Sequence, residues 1–200
     1  NAQKNATEQQ NEMIKAAMSQ GATYQDAVNQ VMGTGSGNIA KMTAMSESGA
    51  DYGRVSSGKW DAGGVSYGAY QLSSTRWSAQ SFIDTMGYSD AFAWLKPWTP
   101  EFSAKWREMA KDPSFQQAQD QYAQQTYCEP FKEKLENNGI SVWNRSDGVQ
   151  ALLFSTSNQY GKNSNIINDF ANSVWGKDEL NKLSDEEFIK QLSKYKVDTV

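Results

Sequence analysis

The sequence predicts a mainly α-helical domain of the α+β class, a helical bundle with one small β-hairpin region. Apolar residues recur at helical spacing along most of the 200 residues, between clusters of Gly, Ser and Asn. Residues 51–68 instead combine glycine, serine and aromatic residues in loose alternation, which indicates a short β element. With 38% hydrophobic residues, the chain is apolar enough to bury the core of a single compact domain.

The N-terminal part is predicted to be a helical lead and connector over residues 1–37, ahead of a main domain over residues 38–200. Thr23 is a residue type that caps helices, and the glycine run 33–37 ends the helix that it begins. The start of the chain has neither an initiator methionine nor the apolar region of a signal peptide. We therefore interpret the chain as a segment of a longer protein.

Helix signals recur through the main domain. A short apolar stripe ends at Gly49, a residue suited to the left-handed position after a helix, which puts Glu47 in the last helical turn. Ser73 or Ser74 can cap the next helix, with Trp77 on its inward face. Further helices are predicted to begin at Thr99, Asp112, Ser146 and Ser184, with Trp106 facing inward and a break or kink near Pro130.

The composition excludes several chemistries. The chain has no histidine and one cysteine, which rules out a Ser-His-Asp triad, a Cys-His pair, a histidine zinc site and a disulfide. No metal or cofactor is expected, and acid–base chemistry falls to carboxylates. The net charge of -4 disfavours nucleic acid as a partner, and the longest apolar run, residues 151–154, is too short for membrane insertion.

Two nucleophile patterns are interpreted as inactive. Residues 64–68 match the G-x-S-x-G pattern of acyl hydrolases around Ser66, but the chain lacks the histidine that would activate the serine. Cys128 is predicted to be a packed thiol, because no evident cation beside it would lower its pKa.

Glu47 is the candidate catalytic acid. A carboxylate in the last turn of a helix lies next to unpaired backbone carbonyls and the negative end of the helix dipole, and both raise its pKa. Shielding from water by Tyr52, Trp60 or Tyr67 would raise the pKa further. Cleavage of a glycosidic bond requires a carboxyl group that stays protonated near neutral pH, because the leaving oxygen must receive a proton.

Three stretches of the sequence carry a family resemblance. Residues 46–49 read Ser-Glu-Ser-Gly, residues 68–73 read Gly-Ala-Tyr-Gln-Leu-Ser, and residues 149–161 are an apolar stretch that ends in polar residues. Their order and spacing resemble the lysozyme-like superfamily, which includes soluble lytic transglycosylases. Residues 56–68 look closer still to muramidase modules of phages and secreted bacterial effectors, and the chain looks like the C-terminal lysozyme domain of type VI secretion effectors. The resemblance implies a lysozyme-like fold whose β-hairpin region lies beside the active-site cleft.

The resemblance also implies roles for individual residues. Glu47 becomes the general acid, and Tyr67 and Gln71 line the cleft and touch the sugar. Asp61 is the candidate second carboxylate, since related enzymes place an acid in the β region, and Asp51 is the alternative. The competing interpretation of Asp61 is an ordinary turn aspartate that satisfies its own backbone.

Further substrate contacts are predicted from the same stretches. Trp60 and Trp98 are expected to be exposed, where an aromatic face can stack on a sugar ring. The polar residues that end the last stretch either brace the site or bind the glycan. Relatives often have a histidine where this chain has Tyr160, so a proton-transfer role at that position is not carried over. The predicted substrate-binding residues are Trp60, Ser66, Tyr67, Tyr70, Gln71, Thr156, Asn158, Gln159 and Tyr160.

The predicted function is hydrolysis of the β-1,4 bond between N-acetylmuramic acid and N-acetylglucosamine in peptidoglycan, by an antibacterial effector module. One alternative is a lytic transglycosylase, in which the substrate's own hydroxyl attacks, and another is a glycan-binding module without turnover. The resemblance implies secretion by a dedicated machine into the periplasm of a target cell. It also implies peptidoglycan glycan strands, an upstream domain and an immunity protein as partners.

Overall fold

The computed structural model describes residues 16, 51–59 and 61–199 of the chain. The predicted helices around Thr23 and before Gly49 lie outside these residues. Within the described part, two short strands are followed by a series of helices. The strands are β1 (Ser66–Tyr67) and β2 (Leu72–Ser73), and the helices are α1 (Ser78–Thr85), α2 (Pro100–Met109), α3 (Pro113–Ala123), α4 (Glu129–Asn137), α5 (Asp147–Tyr160), α6 (Ile166–Ser173), α7 (Lys177–Lys182) and α8 (Asp185–Thr199).

The β element is an antiparallel pair in which Ser66 lies opposite Ser73 and Tyr67 lies opposite Leu72. An isolated bridge between Val55 and Tyr67 extends the pairing toward the start of the region. The predicted β-hairpin region is therefore present, but its second strand lies beyond residues 51–68. A mainly helical fold with a small β element, as the sequence predicts, is confirmed.

The predicted cap of the first described helix is wrong. Ser73 belongs to β2, and the backbone N–H of Ser74 donates to the Val65 carbonyl at 2.9 Å, so both residues are used in the β region. Helix α1 begins at Ser78 instead, after Trp77 in the left-handed conformation with φ 61°. Trp77 thus lies outside the apolar stripe of α1 and is 60% exposed, which corrects the prediction that it faces inward.

The other predicted helix starts agree better with the structure. Thr99 accepts a hydrogen bond from the N–H of Phe102, Asp112 accepts one from Ser114, and each precedes a helix whose first residue is proline. The Ser184 hydroxyl likewise accepts from the N–H of Glu187 at 3.2 Å, before α8. Ser146 precedes α5 without a side-chain cap bond.

The kink expected near Pro130 is observed as a π-helical turn over Gln124–Cys128. This turn joins α3 to α4, and Pro130 is the second residue of α4. Helix α7 was not predicted, because its short polar sequence shows no helical stripe. Among the described residues, no helix is both long enough and apolar enough to cross a bilayer.

Two clusters of buried residues form the interior of the described part. The first core joins the β region to α1, α2 and α3 and is rich in aromatic side chains, among them Tyr67, Phe82, Phe102, Trp106 and Phe115. The second core joins α4 to α8 and includes Phe131, Leu135, Leu153, Phe170 and Leu192. Helix α5 contributes to both, because Phe154 belongs to the first core and Leu153 to the second.

Candidate functional site

A buried carboxylate lies on α3, beneath the β region. Asp120 is 9% exposed and accepts hydrogen bonds from the hydroxyl of Tyr52, at 2.9 and 3.1 Å to its two oxygens, and from the hydroxyl of Tyr70 at 2.7 Å. Helix α3 is buried at every position from Ala118 to Ala123, so a polar group there needs partners from other elements. Tyr52 and Tyr70 supply them.

Gln119, next to this carboxylate, holds the same two segments through their backbone. Its Oε1 accepts from the N–H of Ala69 at 3.2 Å, and its Nε2 donates to the carbonyl of Tyr52 at 3.1 Å. The indole N–H of Trp106 donates to the same carbonyl at 3.0 Å. A Cβ on Gly68 would lie 2.1 Å from the Gln119 Oε1, so only glycine allows this close approach.

This Gln119–Asp120 network joins segments that are distant in sequence. Tyr52 follows the Glu47 segment closely, and Tyr70 belongs to the Gly-Ala-Tyr-Gln segment. The ring of Phe154, from the third stretch that carries the resemblance, packs on Tyr70 with 5.8 Å between ring centroids. The fold therefore brings residues of the second and third stretches, and one that closely follows the first, to one place on α3.

Gln119 and Asp120 are not among the residues predicted from the sequence. The signal available was Gln119, which lies at helical spacing from Phe115 and Tyr122 and so interrupts their apolar stripe, with Asp120 next to it. Such a pair is costly to bury, which makes it a candidate for a network that positions other residues.

Burial governs the ionisation of the groups around the network. The pKa of Tyr52 is raised, first by desolvation and then by the charge of Asp120 and the hydrogen bond to it. Tyr52 is therefore a neutral donor to the carboxylate at physiological pH. Burial also raises the pKa of Cys128 to about 12, so the prediction of a packed thiol rather than a nucleophile is confirmed.

Of the two predicted catalytic residues, the structure describes Asp61 but not Glu47. Glu47 lies outside the described residues. Asp61 is exposed, and its Oδ1 accepts from the N–H of Gly63 at 2.7 Å, which is the local turn bond expected of an ordinary turn aspartate. Asp51 is also exposed and makes the same kind of bond to Gly53 at 3.1 Å. The catalytic roles of these residues stay predictions.

The predicted substrate contacts of the β region divide into buried and exposed residues. Trp60 lies outside the described residues, whereas Ser66, Tyr67 and Tyr70 are buried. The hydroxyl of Tyr67 accepts from the N–H of Trp98 at 3.0 Å. The Tyr67 ring is therefore buried beneath the surface, where it holds the Trp98 backbone. Gln71 is exposed in the tight turn between the strands, with φ 53°.

The strand position of Ser66 also bears on the serine-hydrolase pattern. Ser66 lies in β1, which is joined to β2 by a tight turn, whereas a nucleophile elbow requires a turn from a strand into a helix. The interpretation of this pattern as inactive is therefore supported by the fold.

The remaining predicted contacts lie at the end of α5. Thr156 is fully buried and its hydroxyl donates to the Leu152 carbonyl at 2.7 Å, while Asn158 is half-buried. Gln159 and Tyr160 line a pocket of about 380 Å³ between α5 and α8. Tyr160 packs against the second core, so it lies in a different part of the molecule from Tyr67 and Gln71. The other residues around this pocket are Leu152, Ser193, Lys196 and Val197.

In the part of the chain that the structure describes, no group of three or more His, Cys, Asp or Glu side chains is arranged to hold a metal ion.

Three solved structures of chitosanases are similar in fold to this chain. The native chitosanase from Bacillus subtilis MY002 matches with a TM-score of 0.61 at 17% identity, over 81% of this chain and 76% of that chain. A mutant of it complexed with 6 GlcN matches with a TM-score of 0.60 at 16% identity, again over 81% and 76%. A GH46 chitosanase from Gynuella sunshinyii, in complex with chitotetraose, matches with a TM-score of 0.53 at 15% identity, over 82% and 76%. The fold is therefore lysozyme-like.

The chain belongs to the family described as type VI secretion system spike protein VgrG3-like, C-terminal, whose model matches residues 37–200. It is similar to the type VI secretion system spike protein VgrG3 of Vibrio cholerae serotype O1, with 28% identity over 186 residues. That alignment covers 92% of this chain and 18% of the relative, so the chain spans less than a fifth of the relative's length.

Proposed function

We propose that this chain is a peptidoglycan glycosidase of the muramidase type. The observation that carries the proposal is the Gln119–Asp120 network, because Tyr52 and Tyr70 meet at one carboxylate and Phe154 packs on Tyr70. These residues belong to, or closely follow, the stretches that resemble muramidases. The lysozyme-like fold and the type VI family give the proposal independent support.

Glu47 is the proposed general acid. It precedes Tyr52 by five residues, and both the side chain and the carbonyl of Tyr52 are fixed by α2 and α3. In the proposed reaction, the Glu47 carboxyl protonates the leaving oxygen as the bond to the anomeric carbon breaks.

Asp61 is the proposed second carboxylate. Its exposed position on a glycine-rich turn leaves room for a glycan to approach. Its charge would stabilise the positive anomeric centre or activate the water that completes hydrolysis. Asp51 is the alternative, since it is exposed too and lies closer to Glu47 in sequence.

Peptidoglycan is the proposed substrate because of the family. A type VI spike module is delivered into another bacterial cell, and the glycan of the periplasm is peptidoglycan. The solved neighbours are instead chitosanases, one of them complexed with 6 GlcN and another with chitotetraose. Chitosan is therefore the comparison substrate that any activity test must include.

Secretion by the type VI machinery, an upstream domain in a longer chain and an immunity protein are part of the proposal. They are supported by the family and by the small share of the Vibrio cholerae relative that the chain covers. A closer likeness to the lysozyme domain of the effector TseP is proposed on the sequence stretches 46–49, 56–68 and 149–161 alone.

The test is Glu47→Gln, measured on purified sacculi with separate assays for clearance and binding. We expect the rate of clearance to fall about 10²- to 10⁴-fold, since the acid can no longer donate a proton, while sacculus binding persists. Asp61→Asn should reduce the rate less, and Asp51→Asn should leave it near wild type if Asp61 is the second carboxylate. Glu186→Gln, at an exposed position in the first turn of α8, is the matched control.

The products decide between the alternatives. Mass spectrometry of the released fragments should show reducing ends, whereas anhydro ends would indicate a lytic transglycosylase. Sacculi that bind but are not cleared by wild type would indicate a binding module. Cleavage of chitosan in preference to sacculi would contradict the proposed substrate.

A further inference from the structure

Two tryptophans form an exposed pair beside the β region. Trp77 is 60% exposed and Trp98 is 49% exposed. Their ring centroids are 6.1 Å apart, and the ring planes meet at 83°, so the two indoles form an edge-to-face corner. Other aromatic rings close by in the chain, Phe82, Phe102 and Trp106, are fully buried in the first core.

The fold holds both tryptophans in place. The N–H of Trp98 donates to the buried hydroxyl of Tyr67 at 3.0 Å, and the preceding residue, Pro97, is buried. Trp77 immediately precedes α1, and its carbonyl accepts from the N–H of Ser81 at 2.8 Å. The pair is therefore attached to the ends of two packed helices rather than to a loose loop.

Folding alone does not account for this arrangement. Both residues have left-handed backbone conformations, with φ 61° for Trp77 and 99° for Trp98, which are strained for a large side chain. Trp77 is 60% exposed and Trp98 is 49% exposed, so the pair gains less from burial than a core tryptophan does. Trp94 and Trp175 are also exposed with left-handed backbones, but Trp77 and Trp98 are distinguished by ring contact with each other, which forms one continuous aromatic surface.

The turn that carries Asp61 is bonded to the segment that leads into Trp77. The hydroxyl of Thr75 donates to the carbonyl of Ala62 at 3.0 Å, and the N–H of Thr75 donates to the carbonyl of Gly63 at 3.3 Å. Thr75 lies two residues before Trp77 in the sequence. The fold therefore ties the Asp61 turn to the chain just before the tryptophan pair.

We infer that Trp77 and Trp98 form a stacking platform for sugar rings of the glycan strand beyond the bond that is cleaved. This inference rests on the proposed function and extends it along the substrate. Sugar rings present C–H faces that pack on indole rings, while their hydroxyl groups stay in water, as the half-exposed position of the pair requires. Two indoles at nearly a right angle offer surfaces to successive sugars, which differ in orientation along a strand.

The test measures glycan binding separately from turnover. Trp77→Ala, Trp98→Ala and the double variant are compared with wild type by cosedimentation with sacculi and by cleavage of sacculi and of a short soluble glycan. We expect the double variant to bind sacculi about tenfold more weakly, the loss expected when tryptophan anchors are truncated. KM on sacculi should rise, whereas kcat on the short glycan should stay near wild type.

Two further variants keep the inference falsifiable. Trp175→Ala removes a tryptophan that follows α6, is 92% exposed and also has a left-handed backbone, but is not part of the pair, so this variant should bind sacculi like wild type. Replacing both residues of the pair by tyrosine keeps flat aromatic faces and should restore most of the binding. Circular dichroism checks that each variant is folded.

The outcomes separate this inference from the proposed function. If wild type clears sacculi and the folded double variant binds them as tightly, the platform is wrong and the enzyme proposal stands; a surface for a protein partner would give that result. If wild type clears nothing, the enzyme proposal fails, while a loss of binding in the double variant alone still supports the platform. An equal loss in Trp175→Ala would overturn the platform.

Discussion

The first and second cores differ in the elements that they join and in the side chains that form them. The first core joins short strands, turns and three helices through aromatic rings, and it encloses the Gln119–Asp120 network. The second core is formed mainly by helices with smaller side chains such as Leu135, Ile167 and Leu192. Its polar contacts include the Arg145 guanidinium, which donates to the carbonyls of Leu180 and Leu183, and the buried Gln150 amide, which donates to the Val142 carbonyl at 2.6 Å.

The polar groups of the second core stabilise helices, whereas those of the first core also position segments of the candidate site. In the second core, the Arg145 guanidinium satisfies carbonyls at the C-terminal end of α7, so it adds stability without contacting a residue of the Gln119–Asp120 network. In the first core the buried polar groups hold Tyr52 and the Gly68–Tyr70 segment, which have little regular secondary structure of their own. Removing such groups should therefore affect both stability and activity.

Among the substitutions that test this difference between the cores, Asp120→Ala is expected to lower stability and activity most. The substitution leaves the buried hydroxyls of Tyr52 and Tyr70 without their carboxylate partner, so we expect the free energy of unfolding to fall by about 3–4 kcal/mol. Activity on sacculi should fall with it, measured at a temperature where the variant is folded. Urea unfolding gives the stability, and Asp198→Ala, at an exposed position in α8, is the control that should change it little.

Asp120→Asn sharpens the same experiment. An amide can still accept from one tyrosine, so this variant should keep more stability than Asp120→Ala. Full activity and full stability in both variants would contradict the positioning role of the network.

A smaller effect is expected from Gly68→Ala. Gly68 has φ 73°, and an added Cβ would collide with Gln119, so we expect a loss of about 2–3 kcal/mol from strain and overpacking together. Gly161 provides the comparison, because it has φ 83° but nothing within 4 Å of an added Cβ. Gly161→Ala should cost only about 1 kcal/mol, from backbone strain alone. Equal losses in urea unfolding would show that the contact with Gln119 does not matter.

Among the changes to the network, Tyr52→Phe is expected to have the smallest effect, about 1–2 kcal/mol at neutral pH, because one hydrogen bond to Asp120 is lost. The folded-state pKa of Tyr52 is raised above its ordinary value near 10. The stability that this hydroxyl contributes is therefore complete below that value and is lost as pH rises from it toward the folded-state pKa. The difference in unfolding free energy between wild type and variant should shrink above pH 10, as measured by urea unfolding across pH. A difference that stays constant to pH 11 would contradict this account.

The sequence predicted the helices best where local chemistry decides their ends. Thr99, Asp112 and Ser184 were correctly identified as caps, because capping depends on neighbouring residues only. Ser73 and Ser74 have the same residue type, but pairing with β1 and Val65 takes both into the β region. Residues of a type that caps helices therefore pair with a neighbouring strand segment instead.

The candidate site shows the same division. The motif around Gly68 and Gln71 was visible in the sequence, and so were the aromatic residues that surround it. Gln119 and Asp120 were not recognised, because their importance lies in partners some fifty or more residues away in the chain. The pairing of Trp77 with Trp98 was also not predicted. The sequence pattern had assigned Trp77 to the inward face of a helix, whereas the helix begins only at Ser78.

By itself, the sequence determined the helical class, the capped helix starts and the exclusion of histidine and disulfide chemistry, because composition and short-range hydrogen bonding fix these. The tertiary structure alone decided which polar residues are buried together and which tryptophans stay in water. Burial is a property of the packed chain, so the cost of an unpaired carboxylate on α3 arises only when the β region covers it. That cost makes Asp120 the point at which the segments of the site are joined.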